Sequence, residues 1–376
     1  MNYIFYQTKT KFSNTGDALI NKALIDALRK CGTIFANCSK DIPENFLDEL
    51  GIVPNERMVT SGDVDFALKV IKFSVKKKRG DKVYVVSGLG DVHGGGTKRV
   101  AKNILSSGVF LLYRLLGVRS VRIGRSIGKI SKGMEFAEKI RGKVVNYNYV
   151  RDMRSLKKLE NLGVKKARYC PDMSWMYLSN KEKSYNKTNT VVINMRGSTL
   201  GKYEEEYVAK IKPLCREVVE TISKNFGKEM KICFAYQVEE DKKITNELYE
   251  MFKGDYDCTI VEKRLGLSDV EDVYKDVAFH ISNRMHSLLL GYKYGSLPIA
   301  LIDKEKHLKI VSTFDDIGLM ELVVNISEPD KLENVVGNII SKKEVLYYEL
   351  LKCEDRMVNK TLEELSSIME VEQINR

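Results

Sequence analysis

Apolar positions along this chain follow two rhythms that alternate from end to end. Short runs rich in Val, Ile, Tyr and Phe read as strands at 3–6, 33–36, 82–87, 120–124 and 144–146. Between them apolar residues fall at helical spacing, as at Ala18, Leu19, Ala23, Leu24, Ala27 and Leu28, a stretch that Gly32 ends. Further helices are expected at 97–116 and 153–162, the second closed by Gly163. The alternation resumes with strands at 190–195, 231–234, 258–261, 278–282 and 298–302, and with helices at 203–225, 239–252, 269–275 and 285–294. Repeated strand and crossover helix imply an α/β fold with parallel sheets. The polar, aperiodic stretch 179–189 reads as a linker. The expected organisation is therefore an N-terminal domain at 1–180, a second at 190–345 and a charged helical tail at 346–376. Ligands of such sheets bind at the carboxyl ends of the strands, so two of them would face a cleft.

The length of 376 residues suits two domains, each able to bury its own core. Residues 1–180 carry 33 basic and 16 acidic side chains, and the remainder carries 29 and 35, so the positive excess belongs to the first half. A basic half calls for an anionic partner: nucleic acid, an anionic membrane surface or an anionic small substrate. The run Lys76-Lys77-Lys78-Arg79 lacks interleaved aromatics and reads as a solvated helix end, so no nucleic acid is expected. The apolar run 109–118 is interrupted by Arg114 and is shorter than the ~20 residues that span a bilayer. Its helix, 103–116, is expected beneath the sheet, and peripheral contact with a membrane through the basic half is the alternative. The first residues lack the pattern of a secretory signal, and the seven scattered cysteines contain no Cys-x-x-Cys pair. Reduced thiols, a cytoplasmic location and no metal are expected.

Four motifs could carry chemistry. Asn14-Thr15-Gly16-Asp17 opens the first helix, where free N–H groups suit an anion or a polar sugar, although an ordinary capped turn reads the same way. Ser87-Gly88-Leu89-Gly90-Asp91-Val92-His93-Gly94-Gly95-Gly96 reads as a glycine-rich loop whose amides could meet a ligand or simply turn the chain. It matches neither a phosphate-binding loop ending in Gly-Lys-Ser/Thr nor a dinucleotide fingerprint. Gly124-Arg125-Ser126-Ile127-Gly128-Lys129 and Val150-Arg151-Asp152 put guanidinium groups at strand ends. The fourth, Ser282-Asn283-Arg284-Met285-His286-Ser287, leads from an apolar strand into an apolar helix. Its Arg offers a fork for carboxylate or phosphate and its His can move a proton near neutral pH.

In this order, with Ser155, Pro171-Asp172 and Lys309 ten residues before Leu319, the motifs resemble the polysaccharide pyruvyl transferase family. The resemblance implies two Rossmann-like domains arranged as in GT-B glycosyltransferases, a phosphoenolpyruvate donor, a saccharide acceptor that is free or lipid-linked, and a pyruvate ketal product in cell-envelope polysaccharide biosynthesis. It implies donor binding by Arg151, Arg284, His286 and Lys309, with Lys304 and Lys306 as alternatives to the lysine. His286 and Arg284 are then the catalytic pair, and no cofactor is needed beyond phosphoenolpyruvate as co-substrate. Asn14, Gly16, Asp17, Gly88, Gly90 and Arg125 form the expected acceptor or anion-binding set. A GT-B glycosyltransferase using a nucleotide sugar is the alternative enzyme.

Overall fold

Parallel strand pairing builds two sheets in this computed structural model. It describes residues 1–376 except 9, 178–183, 200–202, 227–228, 372–373 and 375–376, and except the side chain of residue 225. Most of the first half of the expected linker, 179–183, lies outside the described residues. The first sheet is made by β1 (Asn2–Tyr6), β2 (Thr33–Ser39), β3 (Arg57–Thr60), β4 (Lys82–Ser87), β5 (Gly90–Gly94), β6 (Val118–Ile130), β7 (Tyr147–Val150) and β8 (Ala167–Tyr169). Its order is β3-β2-β1-β4-β6-β7-β8, with β5 paired to β6. The connecting helices are α1 (Thr15–Arg29), α2 (Glu44–Glu49), α3 (Asp63–Lys76), α4 (Thr97–Leu115), α5 (Lys132–Val144) and α6 (Met153–Asn161).

The second sheet is made by β9 (Thr190–Asn194), β10 (Lys231–Phe234), β11 (Asp257–Ile260), β12 (Phe279–Ser282), β13 (Leu297–Ile302) and β14 (Val323–Asn325), in the order β11-β10-β9-β12-β13-β14. Its helices are α7 (Glu205–Phe226), α8 (Lys242–Phe252), α9 (Val270–Tyr274), α10 (Met285–Lys293), α11 (Leu308–Asp316), α12 (Leu332–Ser341) and α13 (Lys343–Met369). Counting from β9, this is the doubly wound order in which the chain reverses direction between the first and fourth strands, and ligands sit outside the strand ends at that reversal. In the first sheet the reversal lies between β1 and β4.

Two compact units result, and neither is continuous in sequence. One comprises Met1–Phe12, Asp17–Tyr177 and Arg356–Arg376, and the other Ser13–Gly16 and Leu178–Asp355. The tail is no separate body, because α13 begins in the second unit and ends in the first. In the second unit β12, β13 and α10 are buried along their whole length, which accounts for the unbroken apolar run after His286. A buried ion pair, Lys293 Nζ to Glu354 Oε1 at 2.5 Å, with Tyr292 donating to Glu354 at 2.7 Å, ties α10 to α13.

Three sequence expectations change. The strand expected at 144–146 forms at 147–150 instead, because Val144 closes α5 and Val145 caps it; a short apolar run fits a helix end as well as a strand. The glycine-rich stretch is no open loop, for Gly90–Gly94 pairs in parallel with β6, Gly90 opposite Arg125 and Asp91 opposite Ser126. The helix expected beneath the sheet, α4, does pack on it through Tyr113 and Phe110, but turns Leu105, Leu111, Leu112 and Leu115 to solvent.

Candidate functional site

The reversal point of the second sheet is stitched by side chains that follow β9 and β12. Ser282 donates to the Asn194 carbonyl at 2.5 Å, and the Arg284 amide donates back to Ser282 Oγ at 3.0 Å. Asn283 accepts from the Arg196 amide at 2.7 Å and donates to the Arg196 carbonyl at 3.0 Å and to the Tyr207 hydroxyl at 2.9 Å. Each amide atom of Asn283 is thus spent on holding the two strand ends together, with Arg196 on one and Arg284 on the other.

Arg284 is held by Asp241, to which Nη2 donates at 2.7 Å and Nε also bonds. The carboxylate is buried and the guanidinium is 18% exposed. This fork-to-fork grip fixes the plane of the guanidinium and leaves its Nη1 edge for an anion. Arg196 lies close enough that burial first, and the Arg284 charge second, lower its pKa. Arg284 and Arg196 both act on Asp241, and Glu204 adds a second carboxylate near Arg196.

His286 occupies the first turn of α10 and is 8% exposed. Gly16 packs directly against it, so that a Cβ at position 16 would come within 2.3 Å of Nδ1. Asn14 supports this approach by accepting from the Gly16 amide at 3.0 Å and by bridging antiparallel to Val238. Thr15 donates to the Leu265 carbonyl at 2.6 Å and accepts from Arg264 at 2.8 Å. Residues 13–16 therefore belong to the second unit, where they form a wall beside the histidine. Lys309 lies on the first turn of α11, and Thr313, one turn on, bonds Met285 Sδ at 2.9 Å, which docks that helix on the Arg284–His286 turn. Lys306 is exposed and Lys304 lies in the preceding turn.

The first unit treats its arginines differently. Arg151 follows β7, donates from Nε to Ser126 at 2.8 Å, pairs through Nη1 with Asp172 at 3.0 Å and also bonds Asp91. Burial alone would lower its pKa, but Asp91, Asp172 and Asp152 outweigh that and the net shift is upward. Asp152 caps α6 by accepting from the Ser155 amide at 2.7 Å, and Ser155 in turn accepts from the Ile127 amide at 2.7 Å. The strand β5 brings Asp91 to this knot, a role the glycine pattern did not suggest.

Arg125, expected to bind an anion, is fully buried and engaged by Glu138 at 3.2 Å and by Asn148 at 2.8 Å. Its guanidinium faces the interior because β6 packs it against α5, so Arg125 leaves the anion-binding set. Arg122 takes both oxygens of the same Glu138, at 2.9 and 3.1 Å. Desolvation, with the charge of Arg122 added, pushes Arg125 down to about 10 and Arg141 down to about 9. Against its own burial, Arg122 and Arg125 hold the Glu138 carboxyl well below the usual range.

At the reversal of the first sheet, Asp17 accepts from Thr10 Oγ1 at 2.7 Å and from the Lys11 amide at 3.2 Å, organising the turn after β1. Gly88 and Gly90 follow β4 with φ of 104° and 102°, a backbone that side chains rarely adopt. Arg196, Asp241 and Tyr207 escaped sequence reasoning. Arg196 was within reach, since the strand-end rule that selected Arg125 applies equally to Asn194-Met195-Arg196; nothing local marks Asp241 among the acids Glu239-Glu240-Asp241. Among the described residues no cluster of His, Cys, Asp and Glu could hold a metal ion.

Similarity to solved structures supports the architecture. Phytolacca americana UGT2, complexed with UDP-2fluoro-glucose and pterostilbene, is 9% identical with TM-score 0.56, covering 98% of this chain and 100% of that one. The UDP-GlcNAc 2-epimerase from Methanocaldococcus jannaschii is 13% identical with TM-score 0.53, over 91% and 93%. OtsA in its apo form is 9% identical with TM-score 0.54, over 100% of both chains. These likenesses are of fold, and the fold is GT-B-like. No curated protein matches the sequence. The family description polysaccharide pyruvyl transferase, by contrast, matches residues 14–295, from the Asn14 motif past the Arg284–His286 turn, and the chain belongs to that family.

Proposed function

We propose that this protein transfers the pyruvyl group of phosphoenolpyruvate to a saccharide of a cell-surface polysaccharide or its precursor, forming a pyruvate ketal. The observation that carries the reading is the turn after β12, where Arg284, fixed by Asp241, and His286, walled by Gly16, lie within three residues at a sheet reversal and a helix N-terminus. That arrangement suits an anion that must also receive a proton.

Ketal formation proceeds by protonation of C3 of the enol, which makes C2 electrophilic. One sugar hydroxyl adds to C2, the bond from C2 to the phosphate oxygen breaks, and a second hydroxyl adds in its place. Of the two hydroxyl protons, one replaces that delivered to C3 and the other accompanies the departing phosphate. His286 is the general acid and base in this reading. Arg284, with Arg196 beside it, holds carboxylate and phosphate and meets the charge that develops as phosphate leaves, and Lys309 assists from α11. Arg151 joins the donor set through the family resemblance alone.

The likeness to proteins solved with UDP-sugars favours a second reading, glycosyl transfer from a nucleotide sugar. Donor dependence separates the two. Phosphate released from phosphoenolpyruvate in the presence of saccharide, with a product heavier by one pyruvate ketal, supports the first; nucleoside diphosphate released from a nucleotide sugar supports the second. Within the first reading, His286→Ala is expected to abolish phosphate release, and near-normal release would remove His286 from its role.

A further inference from the structure

In the first unit α4 carries no acidic residue and presents an apolar stripe to water. Leu105 and Leu115 are each 76% exposed, and Val109 and Leu112, between them at helical spacing, are exposed as well. This stripe is wider than one helix. Lys102 pairs with Asp63 at 3.6 Å, which sets α3 alongside with exposed Val64 and Leu68. On the other side Arg141 donates to Asn103 at 2.5 Å and Arg114 to the Lys143 carbonyl at 3.1 Å, which sets α5 alongside with exposed Phe136. Exposed cations rim the apolar residues: Lys98, Lys102 and Arg114 on α4, and Lys132, Lys139 and Lys143 on α5. The nearby acids are few, with Asp63 and Asp65 at the start of α3 and Glu135, half-buried, on α5.

We propose that the face formed by α3, α4 and α5 docks on the surface of an anionic lipid bilayer. Exposed apolar side chains gathered on three neighbouring helices are what an interaction site offers. The charge chooses the occupant. A second copy of this chain applied to the same face by a two-fold axis would set the cationic rims against each other. Nucleic acid would satisfy the lysines and leave the leucines and Phe136 in water. An anionic bilayer accepts both, leucines into the boundary with the acyl chains and lysines among the headgroups. Among the described residues no helix is long and apolar enough to cross a membrane, so the contact lies on the surface. The proposal does not depend on the reaction assigned above.

The test is co-sedimentation of the full-length protein with vesicles of phosphatidylcholine, alone or mixed with phosphatidylglycerol, without donor or acceptor. The mixed vesicles are expected to bind about tenfold more tightly than the neutral ones, and added salt to weaken that binding. Leu105→Asp and Leu112→Asp are expected to abolish it with an unchanged melting temperature, and the double variant Lys98→Glu, Lys102→Glu to weaken it. Equal recovery in the supernatant with both vesicle types would overturn the proposal. So would binding that survives both leucine variants, or concentration-dependent self-association that Leu105→Asp removes in a protein indifferent to lipid.

Discussion

Both units carry arginines toward the carboxyl side of their parallel sheets, yet set them in different surroundings. In the second unit Arg196 and Arg284 follow the two strands that flank the sheet reversal, and Arg284, held by the buried Asp241, keeps its guanidinium partly exposed. In the first unit Arg125, inside β6, and Arg151, which follows β7, lie away from the reversal between β1 and β4 and are buried against Glu138, Asp91 and Asp172. An arginine near a strand end is thus the better ligand candidate when its strand borders the reversal and its guanidinium still reaches solvent.

The largest effect expected from this contrast is on stability. Glu138→Gln leaves Arg122, Arg125 and Arg141 buried without their carboxylate and should cost roughly 3–5 kcal/mol in denaturant unfolding, because a buried charge that loses its partner keeps its desolvation penalty. A loss under 1 kcal/mol would mean that the cluster is already compensated in another way. In the second unit the corresponding strike is on turnover. Gly16→Ala pushes a methyl group against the His286 ring and should lower phosphate release by about 10²-fold while the melting temperature changes little, as expected when a reacting group is displaced by an ångström. If the variant instead unfolded, the wall of residues 13–16 would be structural first.

The third expectation concerns pH. Burial holds His280 down to about 3 from its ordinary 6.5. Between those values the unfolded chain binds the proton and the folded one does not, so the stability of the second unit is full above pH 6.5 and falls as the pH drops, by about 2 kcal/mol at pH 5 from this residue. His280→Asn should flatten that slope, which urea titrations at pH 5 and 7 would reveal. Asp241→Asn loosens the hold on Arg284 and should raise the KM for phosphoenolpyruvate about tenfold with a smaller change in kcat. The smallest effect belongs to the first unit: exposed Lys129→Ala should alter stability by no more than about 0.5 kcal/mol.

Much of this is legible in the chain itself. The strand at Lys82–Ser87 and that at Lys231–Phe234 appear where periodicity put them, and the turn from Ser282 to His286 stands between a buried strand and a buried helix as its flanking apolar runs require. β8 and β14 were missed because three residues are too few to express a period. Arg125 was misjudged because its neutralising carboxylate lies thirteen residues on, across a helix whose facing side periodicity did not reveal.

Sequence by itself determined what depends on neighbours along the chain. That includes the alternation of strand and helix, the division into two sheets, the order of the motifs that marks the family, and the pairing of Arg284 with His286 two residues apart. Tertiary structure alone decided what depends on charges and surfaces meeting through space: that Arg125 is spent on Glu138, that Asp241 fixes Arg284, that residues 13–16 join the second unit beside His286, and that the leucines of α4 face water. The physical reason is that periodicity follows from backbone geometry, which is local. The fate of a charge or an apolar face is set by how far its desolvation is offset by groups that only folding brings near.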